Sequence, residues 1–270
     1  ADSTIRVWNL QTKTEQTVLR GHTEPVRCLE VVGEYLASGS QDRTVRLWDV
    51  QSKTGEPIAV AHEVTCLQSE EVVLEGHTET VTCLRVVGDY LASGSRDATI
   101  RLWNLHTEAQ EAVLVGHTEE VWCLKVVGDH LVSGSEDCTI RLWSIVTKEE
   151  LCIFEGHTGP VWCLKLVGGY LASGSVDKTI RLWNLITGEE EAVLGGHASP
   201  VRCLKALGDY LVSGCFEGSV KIWNLETTRE TTLKGHQESV TCLEVVEDYL
   251  ASGSGDGTVR FWSLHTKAEE

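Results

Sequence analysis

Two adjacent stretches decide the fold of this chain: GHTEEVWCLKVVGDHLVSGSEDCTIRLWSIVTKEELCIFE (residues 116–155) and GHTGPVWCLKLVGGYLASGSVDKTIRLWNLITGEEEAVLG (residues 156–195). They agree at more than half of their positions, and each carries one of its two tryptophans in an Ile-Arg-Leu-Trp segment. Tryptophans of this kind lie at positions 8, 48, 103, 143, 183, 223 and 262, so the period is 40 residues with one interval of 55 and one of 39. A fixed period of this length indicates a fold made by stacking copies of one unit.

Each unit predicts four short antiparallel strands, called a to d in chain order after the Gly-His pair. The segments VTCLRVV, YLASGS and TIRLW are rich in β-branched and aliphatic residues and are bounded by glycine or aspartate, which is typical of strands. The fourth segment, such as QEAVLVG, is apolar over only a few residues. A single sheet that is apolar on both faces cannot bury them, so successive sheets are expected to stack face to face and close into a ring.

The repeated blocks Gly-His, Ser-Gly-Ser-x-Asp-x-Thr and Ile-Arg-Leu-Trp-Asn/Asp resemble the WD40 family of β-propellers over essentially the whole chain. Only Trp48 is followed by the aspartate of the family motif, Asp49. The resemblance implies an all-β fold, with a single propeller domain over residues 1–270 built from four-stranded antiparallel blades. We expect seven ring positions, one of them with an incomplete blade, and a six-bladed ring is the alternative.

The two ends of the chain are expected to close this ring. The chain starts with a c strand and a d strand and ends with strands a, b and c, so the N-terminal strand can supply the d strand that the last blade lacks. One c strand is then in excess, and residues 1 to about 10 are expected to be frayed, displaced or exchanged with a neighbouring molecule. A strand-exchanged oligomer is therefore one expected form of the protein.

The interval of 55 residues contains the irregular stretch PIAVAHEVTCLQSEEVVLEGH (residues 57–77). Ala61-His62 stands where a Gly-His pair is due, 14 residues after Trp48, and HEVTCLQ repeats the start of strand a. Two full units need 80 residues, so the 25 that are missing correspond to strands b and c. This pattern favours an aborted repeat over a plain loop insertion in a six-bladed ring, and the aborted repeat is either a real reduced blade or the result of a gap in the sequence at 62–77.

Charge and cysteine usage exclude several kinds of partner. Lysine and arginine number 23 and acidic residues 40, and the net charge of −17 opposes binding to nucleic acid or to an anionic membrane surface. No Cys or His spacing is typical of a zinc site, so we expect no metal and no cofactor. A reducing cytoplasmic location is expected, with the nucleus as the alternative. Seven cysteines recur in a Val-x-Cys-Leu strand and are expected to be small buried residues: Cys28, Cys66, Cys83, Cys123, Cys163, Cys203 and Cys242.

Each regular unit carries a histidine, a serine, an aspartate and a tryptophan at fixed spacing. A Ser/His/Asp trio can be catalytic, but an enzyme places one such set in one pocket, whereas this set recurs in every blade. In the family that the chain resembles, the four side chains form a buried hydrogen-bonded chain, and their donors and acceptors suit that role. The unit at 196–234 has Glu217 where aspartate is due and Cys215 for the second serine, so it is expected to be the least rigid. The expected structural tetrads are His22, Ser38, Asp42, Trp48; His77, Ser93, Asp97, Trp103; His117, Ser133, Asp137, Trp143; His157, Ser173, Asp177, Trp183; His197, Ser213, Trp223; and His236, Ser252, Asp256, Trp262.

Two positions vary between units while their surroundings stay fixed. The strand-a slot is the middle residue of Val-x-Cys, and the loop slot immediately precedes the tetrad acid; both lie on the face formed by the d-to-a and b-to-c loops. In the F-box/WD40 class of ubiquitin-ligase substrate receptors, which the SGSRDATIRLW style of this chain resembles, arginines at these two slots hold phosphorylated peptides. Tryptophan, phenylalanine and arginine are also typical of interaction hot spots. The expected partner-binding residues are Arg27, Arg96, Trp122, Trp162, Val176, Arg202 and Phe216.

These observations predict a non-enzymatic protein-interaction scaffold. The expected partner is a protein or peptide with an aromatic or aliphatic anchor and a phosphate or acidic group near Arg27, Arg96 or Arg202. A role as the substrate-recognition part of a ubiquitin ligase rests on the resemblance alone. The alternative is a structural propeller that self-assembles in a larger complex. A propeller enzyme would need a unique polar cluster in one blade, and the sequence has none.

Overall fold

A computed structural model describes residues 3–9, 12–33, 35–52 and 64–263, with side chains over the same ranges except 51–52 and 64–71. Every regular element in these ranges is a strand. No helix in the described part of the chain is long and apolar enough to cross a lipid bilayer.

The strands follow the repeat closely. The first eleven are β1 (Thr4–Asn9), β2 (Thr14–Arg20), β3 (Val26–Val32), β4 (Tyr35–Ser40), β5 (Val45–Ser52), β6 (Val64–Leu74), β7 (Val81–Val87), β8 (Tyr90–Ser95), β9 (Ile100–Asn104), β10 (Gln110–Leu114) and β11 (Val121–Val127). The others are β12 (His130–Ser135), β13 (Ile140–Ser144), β14 (Glu150–Phe154), β15 (Val161–Val167), β16 (Tyr170–Ser175), β17 (Ile180–Asn184), β18 (Glu190–Leu194), β19 (Val201–Leu207), β20 (Tyr210–Cys215), β21 (Val220–Asn224), β22 (Glu230–Leu233), β23 (Val240–Val246), β24 (Tyr249–Ser254) and β25 (Val259–Ser263).

These strands form seven antiparallel sheets within the described ranges. Five are four-stranded meanders in chain order, beginning with β3-β4-β5-β6 and ending with β19-β20-β21-β22. A two-stranded sheet, β1-β2, precedes them, and a three-stranded sheet, β23-β24-β25, follows. The predicted all-β fold with four-stranded antiparallel blades at seven positions is confirmed, although two sheets are incomplete where the sequence predicts one.

The chain forms two compact units, Ala1–Val132 with Leu142–Leu151, and Ser133–Arg141 with Cys152–Glu270. The boundary passes through the sheet β11–β14, and a single domain over residues 1–270 stays a prediction.

Neighbouring sheets within each unit pack through the same apolar positions. In the first unit, Ala37 and Leu47 of the sheet β3–β6 share a buried cluster with Leu84 and Trp103 of the sheet β7–β10. In the second unit, the corresponding cluster joins residues of β16 and β17 to Leu211 and Trp223 of the next sheet. Stacking therefore buries both apolar faces, as the repeat requires.

The N-terminal strands pair with each other. β1 lies antiparallel to β2, with Thr4 opposite Arg20 and Asn9 opposite Thr14. The sequence predicts instead that the d strand β2 completes the last sheet, and that residues 1 to about 10 are frayed or exchanged. Residues Thr4–Asn9 are an ordered strand of the same chain, because a short hairpin loop costs far less entropy to close than a pairing between the two ends of the chain. Residues 1, 2 and 10 lie outside the described ranges.

The irregular stretch at 57–77 also differs from the expectation. Residues predicted as strand a of a reduced unit are the first half of β6, which pairs with β5 from Ser52 opposite Val64 to Val45 opposite Leu74. The register shifts between Trp48 and Val50, so one bulged hairpin is formed instead of a separate sheet. Val-Thr-Cys-Leu favours a strand with any partner, and without a b strand the partner at hand is the extended β5. Residues 57–63 lie outside the described ranges.

Candidate partner-binding site

The first tetrad is a continuous hydrogen-bonded chain. Trp48 Nε1 lies 2.8 Å from Ser38 Oγ, which lies 2.7 Å from His22 Nε2, and His22 Nδ1 lies 2.6 Å from Asp42 Oδ2. An indole N–H can only donate and a carboxylate can only accept. Trp48 therefore donates to Ser38, Ser38 donates to the histidine ring, and the ring donates to Asp42.

Other sheets repeat this chain. The three contacts, at 2.7 to 3.0 Å, recur in His77, Ser93, Asp97, Trp103; in His157, Ser173, Asp177, Trp183; and in His236, Ser252, Asp256, Trp262. His117 and Trp143 of the sheet β11–β14 have their ring centroids 6.2 Å apart in an edge-to-face arrangement. The tetrad links the loop before strand a to strands b and c in each of the sheets where it recurs.

Burial and charge make the tetrads a scaffold. Ser38, Ser93 and Ser173 are fully buried, so their hydroxyls cannot reach a substrate. Burial raises the pKa of the Asp177 carboxyl, but hydrogen bonds from Thr179 and His157 outweigh it and lower the pKa to about 2. Burial also lowers the pKa of His157, so this ring is neutral. A fixed proton pattern suits a rigid structural chain better than proton transfer.

The sheet β19–β22 departs from the pattern. His197 Nε2 lies 2.6 Å from Ser213 Oγ, and its Nδ1 lies 3.4 Å from Ser219 Oγ, the same contact that Thr44 makes with His22 in the first tetrad. The backbone N–H of Glu217 donates to Ser199 Oγ at 2.9 Å, and the Glu217 side chain is exposed. The longer carboxylate is thus turned away from the histidine.

Cys215 fills the space beside this altered tetrad. Its Sγ lies 3.0 Å from Ser219 Oγ, and the residue is fully buried. Burial raises the pKa of the Cys215 thiol, but hydrogen bonds from His197, Ser199 and Ser219 outweigh it and lower the pKa to about 6.

The two slots are held together by the backbone. The strand-a slot residue is the extra residue of a β-bulge, as shown by register shifts between Val26 and Cys28 and at the same point of four other sheets. Such bulges re-aim a side chain out of the regular sheet. The backbone N–H of the loop slot donates to the carbonyl two residues before the strand-a slot, in the pairs Gln41 to Pro25, Arg96 to Thr80, Val176 to Pro160, Phe216 to Pro200 and Gly255 to Ser239, all at 2.9 or 3.0 Å.

Three predicted partner-binding residues lie in the first of the two compact units. Arg27 is exposed, and with the Gln41 amide oxygen facing it, Arg27 Nε donates to that oxygen at 3.1 Å. Arg96 is exposed and lies over the half-buried ring of Trp122, with its Cζ 5.1 Å from the ring centroid. Among the described residues, Arg27 contacts a neutral amide, which does not offset its charge, whereas the cation–π contact fixes Arg96 in place.

Four predicted partner-binding residues lie in the second of the two compact units. Trp162 and Val176, the two slots of the sheet β15–β18, are both half-buried. Arg202 and Phe216, the two slots of the sheet β19–β22, are exposed, and 51% of the Phe216 surface is accessible to solvent. Each sheet thus presents a different pair of side chains from one backbone frame.

Sequence reasoning missed two contacts at these slots. Glu120 Oε2 lies 3.7 Å from Arg96 Nε, so Arg96 is held by an acid as well as by the Trp122 ring. Thr82 Oγ1 donates to the Gly94 carbonyl at 2.9 Å, which turns this slot inward. Glu120 stands two residues before Trp122, the strand-a slot of the next sheet. Its contact with Arg96 could have been predicted only by knowing how neighbouring sheets are aligned.

Comparisons with known proteins agree with this architecture. The family profile described as TEP-1 second beta-propeller matches residues 1–209, and the profile described as WD domain, G-beta repeat matches residues 227–263. The crystal structure of the computationally designed Ika8 protein has a TM-score of 0.85 and 32% sequence identity, covering 100% of this chain and 80% of that chain.

Curated relatives match over shorter stretches. Mitochondrial division protein 1 of Aspergillus oryzae is 30% identical over 122 residues, covering 38% of this chain and 19% of that protein. WD repeat-containing protein pop2 of Schizosaccharomyces pombe is 29% identical over 127 residues, covering 39% and 18%. F-box/WD repeat-containing protein pof1 of Schizosaccharomyces pombe is 65% identical over 37 residues, covering 14% and 6%. The match spans less than a fifth of the length of each of these relatives.

Proposed function

Because this chain belongs to the WD40-repeat β-propeller family, we propose that it is a non-enzymatic scaffold that captures a protein or peptide partner on its slot residues. The observation that carries the proposal is the backbone frame of the slots. In five sheets a main-chain hydrogen bond ties the loop slot to the residue two before the strand-a slot, while the slot side chains differ from sheet to sheet. A constant frame with variable exposed side chains supports recognition, since catalysis would need one unique polar set.

The side chains at the slots indicate the character of the partner. Arg27 and Arg202 are exposed, and within the described residues neither has a carboxylate partner among the ion pairs. A guanidinium in this state suits a phosphate or carboxylate on the partner. Trp162, Val176 and Phe216 supply apolar surface in the second unit, which suits an aromatic or aliphatic anchor.

We propose further that the partner is a substrate of ubiquitin ligation and that the protein works in the cytoplasm. The support is the likeness to a protein named as an F-box/WD repeat protein, which is 65% identical over a short stretch. Slot arginines of the kind that this class of receptor uses for phosphopeptides are present at Arg27, Arg96 and Arg202.

The test is a binding assay with two matched peptide libraries. Both carry an aromatic or aliphatic residue near a serine or threonine, and one of them is phosphorylated there. Binding is measured by fluorescence polarisation for the wild type, for Arg27→Ala and Arg202→Ala, and for Arg229→Ala as a control with an exposed arginine in the β21–β22 turn. Losing one charge-assisted hydrogen bond should weaken binding roughly tenfold to a hundredfold.

The apolar part of the site has its own control. Trp122→Ala combined with Trp162→Ala should weaken both libraries equally, while Trp8→Ala, which removes a tryptophan that is 53% exposed on β1, should have no effect. Equal binding by the wild type and by all slot variants would refute the proposed site.

A further inference from the structure

The tetrad acid is held by the same donors in several sheets. In the sheet β3–β6, Asp42 Oδ2 accepts from His22 Nδ1 at 2.6 Å and from the backbone N–H of Thr23 at 3.0 Å. Asp42 Oδ1 accepts from the backbone N–H of Thr44 at 3.0 Å and from its hydroxyl at 2.6 Å. The same contacts recur around Asp97, Asp177 and Asp256.

The sheet β19–β22 keeps these donors in His197, Ala198 and Ser219. Ser213 accepts from Trp223 Nε1 at 2.7 Å, so its own proton goes to His197 Nε2 and the ring carries its proton on Nδ1. His197 is only 6% exposed. Among the described residues, the backbone N–H groups of Ala198 and Ser219 make no hydrogen bond. The donors of a carboxylate site are therefore all present.

Glu217 stands at the acid's place in the repeat but does not serve these donors. Its backbone N–H donates to Ser199 Oγ at 2.9 Å, whereas the corresponding N–H of Asp42 donates to Ser40 Oγ at 3.1 Å. The Glu217 side chain is exposed, and the described residues show no hydrogen bond to its carboxylate. Within the described part of the chain, no carboxylate therefore meets His197 Nδ1.

A cavity of about 490 Å³ opens beside these donors, between the β20–β21 loop and the loop before β23. Its lining includes Ala198, Glu217, Ser219, Lys221 and Lys234. Lys221 is paired with Glu230, whereas Lys234 is exposed and takes part in none of the ion pairs of the described residues. Backbone N–H groups and lysines in one cavity wall suit an anion.

Cys215 shows that these donors favour negative charge. Hydrogen bonds from His197, Ser199 and Ser219 outweigh burial and lower the pKa of the Cys215 thiol to about 6. Two of these three residues correspond to those that hold the tetrad acid elsewhere. Cys215 itself stands at the place of the second serine, next to the acid position, so its thiolate competes with any anion that enters the cavity.

We propose that this cavity binds a carboxylate group of another molecule, which takes the place of the tetrad acid in the sheet β19–β22. One carboxylate oxygen would accept from His197 Nδ1 and the Ala198 N–H, and the other from the N–H and hydroxyl of Ser219. Binding would complete the tetrad in the sheet that the sequence predicts to be the least rigid. The carboxylate belongs either to a small free acid or to an acidic side chain of a peptide, and the site uses none of the slot residues.

The first test is thermal unfolding in sodium acetate against sodium chloride at the same ionic strength. A ligand of this size should bind with a dissociation constant on the order of 1–10 mM. About 0.1 M acetate should then raise Tm of the wild type by about 3 °C. Glu217→Asp puts the chain's own carboxylate at the acid position and should lose this shift. Glu217→Ala, the matched control, should keep it.

The second test observes the site directly. In the chain labelled with ¹⁵N at histidine, the Nδ1 resonance of His197, assigned with His197→Gln, should shift with acetate and saturate in the wild type and in Glu217→Ala. Cys215→Ser restores the serine of the other sheets and removes the competing thiolate, so it should bind acetate at least as tightly as the wild type. Lys234→Glu should weaken binding about threefold, because it reverses a charge in the cavity wall.

A capped tripeptide with a central aspartate identifies the source of the carboxylate, with the asparagine tripeptide as its control. Tighter binding of the aspartate tripeptide than of acetate assigns the site to an acidic side chain of a partner, and binding of acetate alone assigns it to a small acid. Glu217→Asp that keeps the full acetate shift would overturn the proposal. So would loss of acetate binding in folded Cys215→Ser, or a wild type whose Tm and His197 resonance respond to neither carboxylate.

Discussion

Replacing Asp97 by alanine removes the acceptor on which one tetrad ends. The Asp97 carboxylate accepts from His77 Nδ1 at 2.8 Å, from the backbone N–H of Thr78 at 3.0 Å, and from Thr99 through its backbone N–H at 2.9 Å and its hydroxyl at 2.6 Å. The side chains of His77 and Asp97 are 1% and 7% exposed. Alanine therefore leaves buried donors without a partner.

The size of the effect follows from those donors. Each buried donor left unsatisfied costs about 1–3 kcal/mol. The threonine groups can turn to water, so the His77 ring and one backbone N–H remain unsatisfied. We therefore expect the free energy of unfolding to fall by about 3 kcal/mol. For a chain of this size, this lowers Tm by about 6 °C.

Glu217→Ala is the matched control. Glu217 occupies the same position of the repeat, but its side chain is exposed and makes none of these contacts among the described residues. Its replacement should change the free energy of unfolding by less than about 0.5 kcal/mol. The assay is thermal unfolding followed by tryptophan fluorescence, since Trp103 is part of the tetrad. Equal shifts for Asp97→Ala and Glu217→Ala would refute the structural role of the tetrad acid.

Three further outcomes are expected. Glu217→Asp should raise the free energy of unfolding by about 1 kcal/mol, because the shorter carboxylate can reach His197 Nδ1, and an unchanged urea midpoint would contradict this. Asp177, whose pKa is lowered from 3.8 to about 2, stabilises the fold above about pH 4. That stability is lost as the pH falls towards 2, so urea midpoints should fall over this range, less so for Asp177→Asn. Gly174→Ala should destabilise by about 1–3 kcal/mol in thermal unfolding, since a Cβ would lie 2.6 Å from Val201 Cγ1, while Gly195→Ala, with no atom within 4 Å, should not.

The repeat made most of the fold predictable from the sequence. Strand identity, strand order and the tetrad partners all follow from spacing, because each unit has the same local problem of burying two apolar faces. The structure places β-bulges at the strand-a slot, a feature that spacing alone does not reveal because a bulge is a matter of register between two strands.

The exceptions arise where partner choice decides the structure. The Val-Thr-Cys-Leu at 64–67 resembles strand a but extends β6, since a β-prone segment pairs with whichever strand edge is available. The pairing of β2 with β1 is a similar case. Contacts between sheets, such as Glu120 with Arg96, depend on the stacking distance and have no sequence signature.

The main-chain bond from the loop slot to the start of strand a has a consequence for how this protein can change. It is made by a backbone N–H and a backbone carbonyl, so no slot side chain contributes to it. A substitution at Arg27, Trp162 or Phe216 can therefore alter what is recognised at little expense to the fold. Backbone groups therefore determine the fold at this site, and the slot side chains determine which partner is bound. A library randomised at the slots alone should yield mostly folded members from which new binders can be selected.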